Sequence, residues 1–491
     1  MSLSRLRAEW CPSIPRELLA GAVATFALIP EVIAFSFVAG VDPSVGLFAS
    51  FVISIVIAFT GGRPAMVSAA AGSVALVAAP LVQSHGLPYL LAAGLLAGLV
   101  QIAFGLLRLG VLMRFVSSSV RTGFVNALAV LIFAAQLPHL DGANGATWAM
   151  LALGLALIYG LPRLPFRLFT VLPSPLICIL VLTGLSLALG LPLATVADLG
   201  QLPDTLPIFG WPGVPVTLET LRLIALPALA IAMVGLLESM MTASVVDEMT
   251  DTPSSKNREC TGLGLANIAA SLFGGIAGCG MIGQTVSNVK YGGRGRLSTL
   301  FAGLFLLILM VLLKPWVAQV PVIALVAIMV MVSASTFDWG SLRQLVRHPR
   351  TSSAVMLATV AVTLATHNLA AGVAVGVLAS GVFFAFKVAR LLDVRAEDDA
   401  SGLRTWQVTG QVFFASADAF VEAFDVLGAE GRAVRIDVAR AHFWDVTAVA
   451  ALDKVVQRLR HHGCTVEVVG LNAASSVLID RLTPQPPSTQ G

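Results

Sequence analysis

Charge is what this chain has least of. Only 12% of its 491 residues are Asp, Glu, Lys or Arg, whereas 57% are hydrophobic, and the mean hydropathy is +0.88. Soluble domains carry about 25% charged residues, so the scarcity excludes a chain whose surface lies mostly in water. The net charge of +3 and the lack of any basic run exclude a nucleic-acid partner. Cysteines are also few. Cys11, Cys178, Cys260, Cys279 and Cys464 lie far apart, without the spacing of a disulfide framework or a zinc site. No Gly-rich phosphate loop, nucleophile elbow or cluster of metal ligands is present, so neither an enzyme nor a cofactor is expected. Residues 1–16 carry Arg5, Arg7 and Arg16 but no signal-peptide h-region, and read as mature sequence.

What the chain has in abundance is apolar sequence of bilayer length. Between Pro15 and Arg390, about fourteen apolar segments of roughly 17–25 residues recur, the length a helix needs to cross a membrane. The fifth and seventh are expected to begin near Leu112 and Val171. From Leu391 onward charged residues return every few positions. The expected organisation is a polytopic α-helical transport domain over 1–395, a small α/β domain over 396–485 and a disordered tail over 486–491. With the N-terminus in the cytoplasm, one set of connectors carries Arg63, Arg108, Arg163, Lys256, Arg258, Lys290, Arg343 and Lys387. The alternate set carries Asp42, Asp141, Asp198 and Asp204, with Lys314 the one clear basic exception. The positive-inside rule therefore places the C-terminal domain in the cytoplasm of a plasma membrane.

Two segments do not read as full spans. One runs from Ala65 through Gly72 and Ser73 to Pro80; the other runs from Gly274 through Gly280, Met281, Ile282 and Gln284 to Lys290. Both are rich in small residues, and the second is too polar to face lipid as a helix. They are the third and tenth segments, and interrupted segments at matching places in two halves point to a transporter's binding site. Two broken helices with facing N-termini would offer unpaired N–H groups and partial positive charge to an anion. The bland alternative is that the glycines only let helices pack closely.

Carboxylates inside a span are costly and need a reason. Glu31 follows Pro30 in the first span, and Glu238 lies within the eighth. Each is a natural carrier of a co-transported proton; the structural alternative is a protonated side chain bonding two helices. In the C-terminal domain, Thr405 to Phe414 reads as a strand pair, Ala433 to Val438 as a buried strand, Val446 to His461 as a helix and Thr465 to Gly470 as a further strand.

The run Ile29-Pro30-Glu31-Val32-Ile33-Ala34-Phe35-Ser36 is similar to the first-span motif of the sulfate permease (SulP) family. Gly61-Gly62-Arg63-Pro64, the stretch Gly274 to Thr285 and Gly410-Gln411-Val412-Phe413-Phe414-Ala415 add to the match. The chain resembles that family over nearly its whole length. The resemblance implies a seven-plus-seven inverted repeat with core and gate domains, broken third and tenth helices, elevator-like motion, a homodimer and a C-terminal STAS domain. Family substrates include sulfate, bicarbonate, chloride, oxalate and C4-dicarboxylates.

The departures shape the expectation. Glu31 stands where the family usually has Gln, and Gln284 where many members have Arg. Sodium-coupled bicarbonate members carry an Asp and a hydroxyl residue where this chain has Glu238 and Ile282, and isoleucine offers a cation no oxygen. The reading is proton-coupled symport of a small carboxylate, a C4-dicarboxylate such as fumarate. Phe35, Gly72, Ser73, Gly280, Met281, Ile282 and Gln284 would hold the anion, and Glu31 and Glu238 would take up the proton. Sodium- or proton-coupled uptake of bicarbonate or sulfate is the alternative. A reading of another class is an anion sensor or scaffold that signals through the STAS domain to a cytoplasmic partner. Thr447 occupies the place of the phosphorylatable serine of anti-sigma-factor antagonists, but its neighbours fit poorly, so a structural or assembly role is expected there.

Overall fold

A computed structural model describes residues 9–111, 116–163, 174–199, 209–347, 349–399, 403–472 and 475. The segment starts expected at Leu112 and Val171 and the tail over 486–491 lie outside the described residues. The chain divides into two compact units, Met1–Val377 and Leu378–Gly491.

The first unit is helical. It opens with α1 (Ile14–Ala39) and α2 (Pro43–Thr60), then strand β1 (Ser68–Ala70) leading into α3 (Gly72–His85). Next come α4 (Leu87–Leu106), α5 (Ser118–Ala134), α6 (Gly145–Gly160), α7 (Ser174–Leu189), α8 (Leu218–Thr250) and α9 (Lys256–Leu272). Strand β2 (Gly278–Gly280) leads into α10 (Ile282–Lys290), followed by α11 (Arg296–Ala318), α12 (Val322–Thr336), α13 (Arg350–Thr366) and α14 (Leu369–Ala389), whose residues from Leu378 onward are assigned to the second unit. Proline in the first turn pre-sets φ for α1, α2 and α4. Gly40, at φ 74°, ends α1. Among the described residues, eight helices are long and apolar enough to cross a membrane; Ser174–Leu189, Arg296–Leu312 and Arg350–Thr366 are shorter apolar helices. Such helices satisfy their own backbone in lipid, and the result is a polytopic α-helical membrane fold.

Helices α1 to α4 pack with α8, α9 and α11, the tightest association being α4 against α9. Helices α5, α6 and α7 associate with α12 and α13. Where the first group meets in its middle, β1 and β2 pair antiparallel, Ser68 opposite Gly280, Ala69 opposite Cys279 and Ala70 opposite Gly278. Three-residue strands leave outward-facing polar groups that lipid could not satisfy, and surrounding helices cap them. Ser54 Oγ donates to Ser68 O at 2.9 Å, and Ser50 Oγ accepts from Ala70 N at 3.2 Å. Asn267 spans β2, accepting from Gly278 N at 2.9 Å while its Nδ2 donates to Gly278 O at 3.2 Å and to Gln101 Oε1 at 2.9 Å. A Cβ on Gly278 would stand 2.0 Å from Ala69 O, so only glycine permits this approach.

The second unit carries a four-stranded sheet in the order β3 (Asp393–Asp398), β4 (Arg404–Val412), β5 (Ala433–Phe443), β6 (Thr465–Val469). The first pair is antiparallel and the other two are parallel. Helices α15 (Ala417–Glu422) and α16 (Val446–His461) complete it, and Trp406, Phe420, Val434, Ile436, Leu452 and Val455 fill its core. Two expectations need correction. The stretch expected as a strand pair is one strand, β4, whose antiparallel partner β3 precedes it. That partner begins at Asp393, so the sheet reaches into the stretch assigned to the transport domain. Alternation of side chains marks a strand but not which neighbour it pairs with, and β3 is charged and exposed, hiding it among loop residues. Thr447 lies exposed in the first turn of α16, beside the N-cap Asp445 that accepts from Ala448 N at 2.8 Å.

Candidate functional site

The two strands deliver two helix starts to one place. Helix α3 begins two residues after β1, and α10 begins two residues after β2. The first N–H groups of each helix have no partner within the helix, and neither N-cap residue, Ala71 or Met281, supplies a side-chain cap. Each helix start also carries roughly half a positive charge.

Glu238, buried on α8, reaches into this junction. Its Oε2 accepts from the Ser73 hydroxyl in the first turn of α3 and from Cys279 Sγ of β2 at 3.1 Å. Ser73 Oγ and Cys279 Sγ lie 3.8 Å apart, so one carboxylate, one hydroxyl and one thiol form a closed group. Helix α8 also fixes the end of β2. Ser239 Oγ accepts from Gly280 N at 2.9 Å, and Thr242 Oγ1 donates to Gly280 O at 2.9 Å. Phe35 of α1 lies flat against the start of α3; a Cβ on Gly72 would come within 2.6 Å of its Cε1. Gln284, 1% exposed in the first turn of α10, lies beside Glu31, which is within electrostatic range of Glu238. The Gln284 side chain acts on the Glu31 carboxyl, although its Nε2 makes no hydrogen bond of normal geometry.

The structure thus gathers Phe35, Gly72, Ser73, Glu238, Gly280 and Met281 around one junction, with Gln284 and Glu31 beside it. The backbone contribution differs from expectation. Gly280 N is committed to Ser239, and Met281 N donates to Val67 O at 2.9 Å. The amides not used within a helix are those that open it, Gly72, Ser73 and Val74 in α3 and Ile282, Gly283 and Gln284 in α10. Sequence reasoning missed Cys279, Ser239 and Asn267. Cys279 was readable only from its place between Gly278 and Gly280 in the interrupted segment. Among the described residues, no group of three or more His, Cys, Asp or Glu side chains meets as metal ligands would.

Paired unwound segments, uncapped helix starts and buried carboxylates at the break together define a membrane transporter for anions. The sulfate permease family pattern matches residues 14–147 and 140–359, and the STAS domain pattern matches 398–483. The chain belongs to the sulfate permease family and carries a STAS domain after its helical part. It is 49% identical over 477 residues to the "Putative sulfate transporter YbaR" of Bacillus subtilis (strain 168), covering 97% of this chain and 98% of that protein. It is 25% identical over 482 residues to the bicarbonate transporter BicA of Synechocystis sp. (strain ATCC 27184 / PCC 6803 / Kazusa), covering 89% and 85%. The structure of SLC26A9 has the same fold, with a TM-score of 0.81 at 18% identity over 95% of this chain and 86% of that one. The chain is accordingly a multi-pass membrane transporter, not an enzyme, with a cytoplasmic STAS domain.

The expectation of proton-coupled C4-dicarboxylate (fumarate) symport is corrected by these relatives, whose names give sulfate and bicarbonate. The physical reason for the error lies in the donors. A hydroxyl, a thiol and helix amides read the charge and size of an anion, and nothing in that set selects a second carboxylate on a carbon chain.

Proposed function

We propose that this chain is a secondary transporter of a small inorganic oxyanion, with sulfate as the first candidate and bicarbonate as the second. The name of the relative at 49% identity favours sulfate. The observation that carries the reading is the Ser73–Glu238–Cys279 group at the joined starts of α3 and α10. In this reading the anion binds the opening amides of both helices, with Ser73, Phe35 and Gln284 around it. Glu238 holds the Ser73 hydroxyl while it is charged, and releases it to the anion on taking a proton. Glu31 shares the proton through its position beside Gln284.

The larger organisation belongs to the same proposal. The helical residues ahead of β3 form a seven-plus-seven inverted repeat of about fourteen spans. Helices α1 to α4 and α8 to α11 form a core that moves past a gate of α5 to α7 and α12 to α14, the chain works as a homodimer, and the STAS domain, with β3 as its first strand, serves assembly or partner binding. The test is uptake of radiolabelled sulfate and bicarbonate into proteoliposomes, under an inward proton gradient and then an inward sodium gradient. Accumulation of either anion supports the reading, and the driving ion identifies the coupling. Binding without accumulation under every gradient would overturn transport in favour of a sensor.

A further inference from the structure

A cavity of about 190 Å³, apart from the anion junction, lies between α1 and α11 on one side and α7 and α12 on the other. Its lining is hydrocarbon apart from the Met310 thioether, the Trp316 indole and one hydroxyl, that of Thr183. Thr183 is 7% exposed, and its Oγ1 has no hydrogen-bond partner. The protein does not reach into this space to satisfy it.

Water is a poor occupant. A buried water needs two to four polar partners, and this lining holds only the Thr183 hydroxyl and the Trp316 indole N–H, on different helices. Apolar cavities of about 150 Å³ stay dry and take up hydrocarbon instead. The walls belong to helices of a membrane-spanning unit, and beside the cavity Leu180 and Leu187 of α7 are 60% and 55% exposed. Exposed apolar faces of a membrane-spanning unit meet lipid tails. We propose that this crevice is a binding site for the acyl chain of a membrane phospholipid.

The position of the site gives the lipid a purpose. Phe26, Ile29, Pro30 and Ile33 of α1 line the crevice, and their spacing of three and four places them on one helix face. Glu31 and Phe35, four apart, lie on the opposite face, toward α3 and Gln284. A tail in the crevice therefore backs the helix that lines the anion junction and sets the spacing between α1 and α7. The inference needs only the membrane location of these helices and is independent of which anion is carried.

The test uses the full-length protein in lipid nanodiscs containing a phospholipid with a photoactivatable diazirine in its acyl chain, mapping cross-links by mass spectrometry. Cross-links should concentrate on the crevice residues of α7 and α11 and fall when excess unlabelled phospholipid competes. Gly184→Phe should remove them several-fold while leaving cross-links elsewhere unchanged. Gly184 lines the crevice and a Cβ there meets nothing within 4 Å, so the ring enters empty space. Gly184→Leu gives the same readout if the larger ring impairs folding. Cross-links spread evenly over all exposed helix faces, or crevice cross-links equal in wild type and variants, would overturn the proposal.

Discussion

Ser73, Cys279 and Glu238 converge from three places in the chain, and only two of them stand out in its sequence. A carboxylate in an apolar run announces itself because burying it is costly, and Ser73 follows a glycine in a segment too short to be a span. Cys279 gives no such signal, because a buried thiol reads as a small apolar side chain. Ser73→Ala removes a hydrogen-bond donor from a buried carboxylate, and a lost bond of this type costs about 1–3 kcal/mol. Sulfate affinity measured by titration in detergent is expected to fall roughly tenfold for a loss of 1.4 kcal/mol, whereas Cys279→Ser, which keeps a donor, should remain close to wild type. Glu31→Gln is expected to abolish accumulation driven by a proton gradient in proteoliposomes while leaving the unfolding midpoint unchanged. Accumulation at the wild-type rate would remove Glu31 from proton coupling.

At the level of elements, the breaks in the third and tenth segments were visible as glycine and polar residues, but the strands within them were not. Three residues are too few to show a period of two. Their register is held by Ser50 and Ser54 of the preceding helix, Asn267 of α9 and Thr285 of α10, side chains outside the strands themselves. Asn267 is the most exacting of these because one amide serves both polar groups of Gly278 and the Gln101 side chain. Asn267→Leu strands those groups without partners, at about 1–3 kcal/mol for each group left unsatisfied. Thermal unfolding in detergent should show a loss several times that of Asn288→Ala. Although Asn288 Nδ2 donates to Ala65 O and Ser298 Oγ, its Oδ1 is already unpaired. An unfolding midpoint for Asn267→Leu equal to wild type would mean that the strand pair does not depend on this strap.

Over the whole molecule, hydropathy separated the membrane unit from the soluble one because the two live in different solvents. Its boundary was blurred by β3, whose residues look like a charged linker. That strand also carries a pH-sensitive contact. Arg404 Nε and Nη2 bond the two carboxylate oxygens of Asp398 at 2.7 and 3.0 Å. These bonds hold the Asp398 carboxyl below its usual value, with the charges of Arg404 and Arg432 adding to them against slight desolvation. A carboxylate depressed in the folded state stabilises the fold above its unfolded value, about 3.9, and the contribution is lost as pH falls through the lower folded value. The protection factors of β3 and β4 amides in the full-length protein, which are corrected for the intrinsic slowing of exchange in acid, should therefore fall below about pH 4. Asp398→Asn should exchange faster at neutral pH and respond less to acid; an identical acid response in the variant would exclude this pair.

The pairing of β1 with β2 also sets an order of assembly. The ribosome delivers Ser68 long before its partner Gly280, a delay on the order of tens of seconds at ordinary rates of synthesis. During that interval the polar edge of β1 lies in a nascent membrane protein without its mate. The segment around β1 has to wait in a provisional arrangement, held by α2 through Ser50 and Ser54, or remain accessible to the insertion machinery. The early half of the chain is therefore not a finished folding unit, and its site closes only when the later half arrives.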